Sequence, residues 1–292
     1  MLKGSEFVKF KAGFNFRISC FLALLAVILL LRKSSMMKGH LLEADNQFAH
    51  IVNHQEQYFS QHLQVGISAP TIARLIAVRI IGSQGTGSGV IIKRQGQTYT
   101  VLTCKHVLDD QSNGYTVLTA DGQRHPSQWL RAVEFGNKDL AVVKFTSNQT
   151  YRVAAIASNS LSIEDLVYAS GFPSWQSINS SAVADTRDWG MRAFRITRGK
   201  VAMLPKKSLQ EGYQIGYTND VEQGMSGGPV LNQSGQLIGI NGGLKHPLQG
   251  IIAFTFIDGS VPSQDIFQKM EALSWAIPIA AFGSPEQPLG HL

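Results

Sequence analysis

Cysteine is almost missing from this chain. Cys20 and Cys104 are the only two in 292 residues. Cys20 lies inside an apolar run, so a disulfide scaffold is excluded and any exported domain must be stable without bridges. Charge is also scarce, at 16% of residues against 44% hydrophobic. That balance supports a substantial core and excludes wholesale disorder. Ten prolines and 28 glycines are too few and too scattered for a collagen-like or low-complexity chain, and they fit turn-rich β structure. No internal repeat recurs at a fixed short period.

The net charge of +6 is local. Lys3, Lys9, Lys11, Arg17, Arg32, Lys33 and Lys38 stand against Glu6 alone in the first 38 residues. That stretch carries the whole excess, and the remainder is balanced. No electrostatic case is left for a nucleic-acid partner.

The longest uncharged apolar stretch, Ile18 to Leu31, reads ISCFLALLAVILLL. As a helix it measures about 21 Å, short of a full span of roughly 20 residues and equally suited to a signal-peptide core. Arg32 and Lys33 follow it directly, no small-x-small cleavage pattern ends it, and Ala12–Phe16 can lengthen it. An uncleaved signal anchor is therefore favoured over a cleaved signal. The basic residues lean slightly toward a cytoplasmic N-terminus, which would put the body of the protein outside the cytoplasm. Residues 36–66 read as a helical linker with one apolar stripe, Leu41, Phe48, Val52, Phe59 and Leu63. The stripe can pack on the domain or pair with a second copy, so a homo-oligomer is one expectation. His50 and His54 have metal-ligand spacing, but no third ligand accompanies them and a solvated face is the better reading.

After Pro70 the pattern turns to short β runs with turn signals. They include Ala73–Gly82, Gly89–Lys93, Thr98–Thr103, Tyr115–Ala120, Leu140–Phe145, Leu166–Ser170, Arg192–Thr197, Val230–Asn232, Leu237–Ile240 and Ile251–Phe256. Asp121-Gly122 and Ser234-Gly235 mark hairpin turns. One later helix is expected from Asp265 to about Trp275, with Ser263 as its N-cap. Strand–helix–strand alternation is missing, so the expectation is an all-β fold of two halves.

Three segments carry chemistry: GTGSGVIIKRQGQTYTVLTCKHVL with His106, NKDLAVVKF with Asp139, and GMSGGPVLNQSGQLIGINGG with Ser226. A serine hydroxyl needs an imidazole to take its proton, and a carboxylate to hold that imidazole in one tautomer. Glycines around Ser226 allow a tight turn in which the N–H groups of Gly224 and Ser226 point at one spot, where a carbonyl oxygen could become negative. The stretches GSGVII, LTCKHVL, DLAVVKF, GMSGGPV and GQLIGIN, in this order over roughly residues 70–280, resemble trypsin-like (chymotrypsin-fold) serine peptidases of the bacterial HtrA/Deg branch.

The resemblance implies two six-stranded antiparallel β-barrels with the site between them. It implies a serine endopeptidase acting on protein or peptide substrates with no metal or cofactor. His106 would be base and then acid, Asp139 the orienting carboxylate and Ser226 the nucleophile. Gly224 and Ser226 would form the oxyanion hole, and Asn241, Gly242, Gly243 and Leu244 would pair with the substrate backbone. The chain also departs from the family. Met225 replaces the aspartate by which digestive relatives are activated, and no sequence after residue 285 could form a PDZ domain. Cys104 reads as a small core residue. Asp220, six residues before Ser226, stands where the resemblance would put a pocket-floor acid that favours Arg or Lys; the competing reading is a surface-loop acid in YTNDVEQG, bacterial members of the family often preferring apolar side chains. The expected division is anchor 1–35, linker 36–66, peptidase domain 67–285 and tail 286–292.

Two other readings compete with this one. Gly224-Met225-Ser226-Gly227-Gly228 fits the G-x-S-x-G elbow of α/β-hydrolases, but Asp258 or Asp265 with His291 is a poor completion and the βαβ pattern is missing. A membrane-tethered peptide-binding or chaperone module on the same two-barrel fold is the non-enzymatic alternative. Asn148-Gln149-Thr150 and Asn179-Ser180-Ser181 match glycosylation acceptors, read as chance.

Overall fold

The computed structural model describes residues 67–83, 85–108, 114–179 and 182–282. All of them lie in one compact unit, Ile67–Leu292. The expected anchor, linker and tail, with His50, His54 and His291, lie outside the described residues. Among the described residues no helix is long and apolar enough to cross a membrane.

The unit opens with helix α1, Ala69–Ile76. Ser68 caps it by accepting from Thr71 N, and Pro70 stands in its first turn. Its inward face is Ala69, Ile72, Ala73 and Ile76, the i, i+3, i+4, i+7 spacing of one helical stripe. This corrects the expectation of a strand over Ala73–Gly82. The cap and the proline start a helix that the apolar run alone does not reveal, and the strand begins only at Ala77.

Six strands follow: β1 (Ala77–Ile81), β2 (Thr86–Gln95), β3 (Thr98–Thr103), β4 (Tyr115–Leu118), β5 (Arg124–Trp129) and β6 (Ala141–Thr146). They close into a barrel in the order β1-β2-β3-β6-β5-β4. After β7 (Leu166–Gly171) a hairpin of β8 (Trp175–Asn179) and β9 (Ala182–Asp185) stands apart. The second barrel uses β7 with β10 (Arg195–Met203), β11 (Ile215–Tyr217), β12 (Pro229–Asn232), β13 (Leu237–Gly243) and β14 (Ser274–Pro278). Its order is β10-β11-β14-β13-β12-β7, and both barrels are antiparallel throughout. This architecture leaves no place for the βαβ layering of an α/β-hydrolase.

Each barrel has its own apolar filling, around Val78, Val101 and Val143 in the first and Val167, Tyr217 and Val230 in the second. A third cluster joins them. It holds Val90, Leu102 and Val142 of the first barrel with Leu231, Leu237 and Ile240 of the second, and Ile72 of α1 belongs to it too.

Two other expectations change. Ile251–Phe256 is not a strand but a 3-10 turn over Gly250–Phe254, with Ile252 out in solvent and Phe254 turned in. The late helix, α2, is Gln264–Glu271, shorter than expected. Trp275 belongs to β14 instead, paired with Gly216 and Gly243.

Leu231 is fully buried in the cluster between the barrels. Leu231→Ala is expected to cost about 2–5 kcal/mol of unfolding free energy, measured by urea unfolding of the full chain. A loss below about 1 kcal/mol would mean that the barrels do not depend on this seam.

Candidate active site

Strand β3 ends at Thr103, and a single 3-10 turn, Lys105–Val107, then presents His106 with its side chain half exposed. Asp139 lies just before β6 and is buried. Its backbone N–H donates to Glu211 O at 2.9 Å, across to the second barrel's side. Its carboxylate is held by three donors. Oδ1 accepts from His106 N at 2.9 Å, while Oδ2 faces His106 Nδ1 at 2.5 Å and accepts from the Tyr213 hydroxyl at 2.5 Å.

Ser226 sits on the loop between β11 and β12. Gly227 next to it has φ 85°, and a Cβ there would overlap Ser88 O and Thr103 Oγ1 of the first barrel. Only glycine allows the loop this close. Ser88 N donates to Ser226 O at 2.8 Å and Ser88 Oγ to Gly224 O at 2.7 Å. The N–H groups of Met225, Gly227 and Gly228 are spent on Glu222 O, Asn241 O and Met225 O. Those of Gly224 and Ser226 have no acceptor among the described residues. Ser226, Gly224 and His106 line one cleft of about 260 Å³, together with Gly82, Thr86 and Tyr115.

The electrostatics of the pair follow from its contacts. Burial alone would push the Asp139 carboxyl up, but the His106 ring, the Tyr213 hydroxyl and the His106 N–H outweigh it and hold the group below its ordinary value of 3.8. Burial likewise lowers His106, and the hydrogen bond and charge of Asp139, with Glu211 beyond, outweigh that and raise it above 6.5. Burial, with the charge of Asp139, drives the Cys104 thiol well above its usual range.

Cys104, His106 and Asp139 carry ligand-type atoms within 4.8 Å of one another. They do not fit a metal. A bound zinc stands about 2.0–2.3 Å from each donor, whereas Nδ1 and Oδ2 already touch at 2.5 Å. The buried Cys104 thiol donates to Asn241 O at 3.0 Å. The arrangement suits a shared proton, not an ion.

The other expected site residues are spread more widely. Asp220 is exposed and ion-paired with Lys245 at 2.6 Å, and it does not line the cleft. Asn241 is buried, its N–H and C=O engaged by Gly228 and Gly227 and its side chain by Tyr217 and Ser170. Strand β12 accompanies β13 only as far as Ile240. Gly242, Gly243 and Leu244 therefore have no strand partner on that side among the described residues. Sequence reading missed two residues that shape the site, Tyr213 and Ser88. Tyr213 stands 74 positions from Asp139, and no spacing links them. Ser88 lies within GSGVII, where only its burial distinguishes it.

Two closed antiparallel barrels meeting at a cleft of this composition are the architecture of chymotrypsin-like proteins. Residues 87–240 match the family described as trypsin-like peptidase domain, and the chain belongs to that family. It is similar to the serine protease Do-like HtrB of Bacillus subtilis, at 30% identity over 182 residues, 61% of this chain and 36% of that protein. It is also similar to the serine protease Do-like HtrA of Lactococcus lactis subsp. lactis, at 29% over 191 residues, 64% of this chain and 45% of that protein. The periplasmic pH-dependent serine endoprotease DegQ of Escherichia coli is 28% identical over 191 residues, 64% of this chain and 37% of that protein. The chain thus spans less than half the length of these relatives. Among solved structures, a serine endoprotease from Yersinia pestis aligns at 22% identity with a TM-score of 0.48, covering 74% of this chain and 64% of that one.

The pair also links stability to pH. Asp139, lowered on folding, stabilises above about pH 4 and loses this as pH falls through its folded value. His106, raised on folding, stabilises below about pH 6.5 and loses this as pH rises through its folded value. Asp139→Asn should therefore cost most stability near pH 5–6 and less at pH 8. Thermal melts across that range check this, and a gap that widens toward pH 8 would contradict it.

Proposed function

We propose that the chain is a serine endopeptidase that hydrolyses peptide bonds through an acyl-enzyme. Ser226 Oγ attacks the scissile carbonyl while His106 Nε2 takes its proton. The N–H groups of Gly224 and Ser226 receive the oxyanion. His106 then gives its proton to the departing amine, and a water, deprotonated by the same imidazole, releases the acid product. Asp139 keeps Nδ1 protonated and steadies the imidazolium. What carries this reading is the Asp139–His106 contact opening on a cleft that also holds Ser226 and two unspent N–H groups. Gly242–Leu244, at the end of β13 that β12 leaves uncovered, would take the substrate backbone as an added strand.

The relatives named above are serine proteases, and DegQ is described as periplasmic. We extend both features to this chain: protein or peptide substrates, and a peptidase domain outside the cytoplasm. Residues 1–35 would tether it to a membrane, with residues 36–66 as a spacer that holds it near membrane-proximal substrates. Asp220 is paired with Lys245 and lies outside the cleft, so no pocket-floor acid selects basic side chains, and small apolar ones are the expected preference on the acyl side of the cut bond.

A fluorophosphonate probe should label the wild type and neither Ser226→Ala nor His106→Ala. Peptide hydrolysis should fall at least about 10³-fold in each. A folded wild type that takes no label, with a biological role that survives Ser226→Ala, would replace hydrolysis with peptide binding. Since the base must be neutral, kcat/KM should fall as pH drops through a value above 6.5, the direction set by Asp139. In peptide-library profiling, Asp220→Ala should leave the acyl-side preference unchanged, and cleavage confined to Arg and Lys would overturn the apolar assignment.

A further inference from the structure

The carboxylate that faces His106 is gripped from the second barrel by a turn to which neither the motifs nor the family assignment gives a role. The chain passes through a 3-10 turn, Gln210–Gly212, and enters Tyr213 before β11. This turn holds Asp139 twice. Glu211 O accepts from Asp139 N at 2.9 Å, and the Tyr213 hydroxyl donates to Asp139 Oδ2 at 2.5 Å. The oxygen so held is the one that meets His106 Nδ1. We propose that Tyr213 is a positioning residue of this site: its phenol fixes Oδ2, and through Oδ2 the orientation and basicity of the His106 ring.

Three further observations support this. Glu211 is one of only three non-glycine residues with positive φ among the described residues, at 62°. Such a conformation persists where surrounding contacts over-determine it, and it clusters at functional sites. Second, Gly242 is the clearance for the phenol, because a Cβ there would run into the Tyr213 hydroxyl and ring. The turn that grips Asp139 thus also abuts the strand end that would receive substrate. Third, burial, with Cys104 and Asp139 alongside, drives the Tyr213 phenol well above its usual range. It keeps its proton where an ordinary phenol would lose it.

The chemical effect has a sign. A phenol donating to Oδ2 shares the carboxylate's charge and tempers its pull on the imidazolium. Without that donor Oδ2 has one partner fewer, the carboxylate is freer to turn, and the imidazolium is held more strongly. The titratable groups around the pair are Cys104 and Glu211, with Lys105 and Lys138 adjacent in the chain. Cys104 lies within hydrogen-bonding reach of the Asp139 carboxylate too, with its thiol turned to Asn241 O.

The proposal rests on the peptidase reading for its effect on rate, but the test can separate the two. Full-length wild type and Tyr213→Phe are compared by NMR titration of the His106 ring and by kcat and KM on a peptide substrate. The expected result is an upward shift of the His106 titration in Tyr213→Phe, and kcat roughly tenfold lower at unchanged KM. Should Tyr213→Phe fold poorly, 3-fluorotyrosine at 213 keeps the shape with a more acidic phenol, and the His106 titration should move down instead. An unchanged His106 titration in both variants, with only a lower melting temperature, would overturn the proposal and leave Tyr213 as packing. A shift in the titration in a chain that takes no fluorophosphonate label would uphold the Tyr213 contact and overturn the peptidase reading.

Discussion

The approach of the Ser226 loop to the first barrel is the constraint on which the rest depends. Two barrels with separate fillings are brought to backbone contact here, as they are at Asp139 and Glu211, and are held without a disulfide among the described residues. Ser88 does much of this. Its N–H donates to Ser226 O, its hydroxyl donates to Gly224 O and accepts from Phe172 N, and its carbonyl accepts from Thr103 Oγ1. One buried serine thereby satisfies groups on three segments, and Gly227 lets them close. Leaving any of these groups unpaired would cost about 1–3 kcal/mol. The apolar cluster between the barrels supplies adhesion, and these hydrogen bonds supply register.

Two other side chains reinforce the same junction by different means. Met225 is fully buried in the second barrel's filling with Tyr217 and Val221. It anchors the loop by packing at the position where an ion pair does so in digestive relatives. Arg79 on β1 is also fully buried, yet among the described residues it touches no carboxylate. Its guanidinium donates to Thr186 O, Thr186 Oγ1 and Thr86 Oγ1. Burial lowers its pKa, partly countered by Asp185 and Asp188. A guanidinium stays charged under such conditions and offers several donors in a fixed plane. It ties the segment after β9 to the wall of the cleft.

Much of this was legible in the sequence because it rests on local chemistry. The alternating runs marked β3, β4, β6 and β7 closely, and Asp121-Gly122 and Ser234-Gly235 do join β4 to β5 and β12 to β13. His106, Asp139 and Ser226 could be picked out because each stands in a recognisable setting. What escaped was determined by tertiary contact. β5 reads RHPSQW, mostly exposed and with a proline, and it is a strand only because β4 and β6 flank it. β11 has three residues, too few for any period. Trp275 continues an apparent helix in the sequence but is drawn into β14 by Gly216 and Gly243. Tyr213 escaped for the same reason, since its partner is fixed by how the barrels dock.

The order of strands has a consequence for the timing of synthesis. Strand β14, at residues 274–278, is the last to join and seats itself between β11 and β13. Until it leaves the ribosome, the second barrel is open along that seam. The loop bearing Ser226 and the turn bearing Tyr213 then have no rigid wall behind them, even though His106 and Asp139 were made more than a hundred residues earlier. The cleft that holds Ser226 and His106 thus takes its shape only when the fold closes on itself.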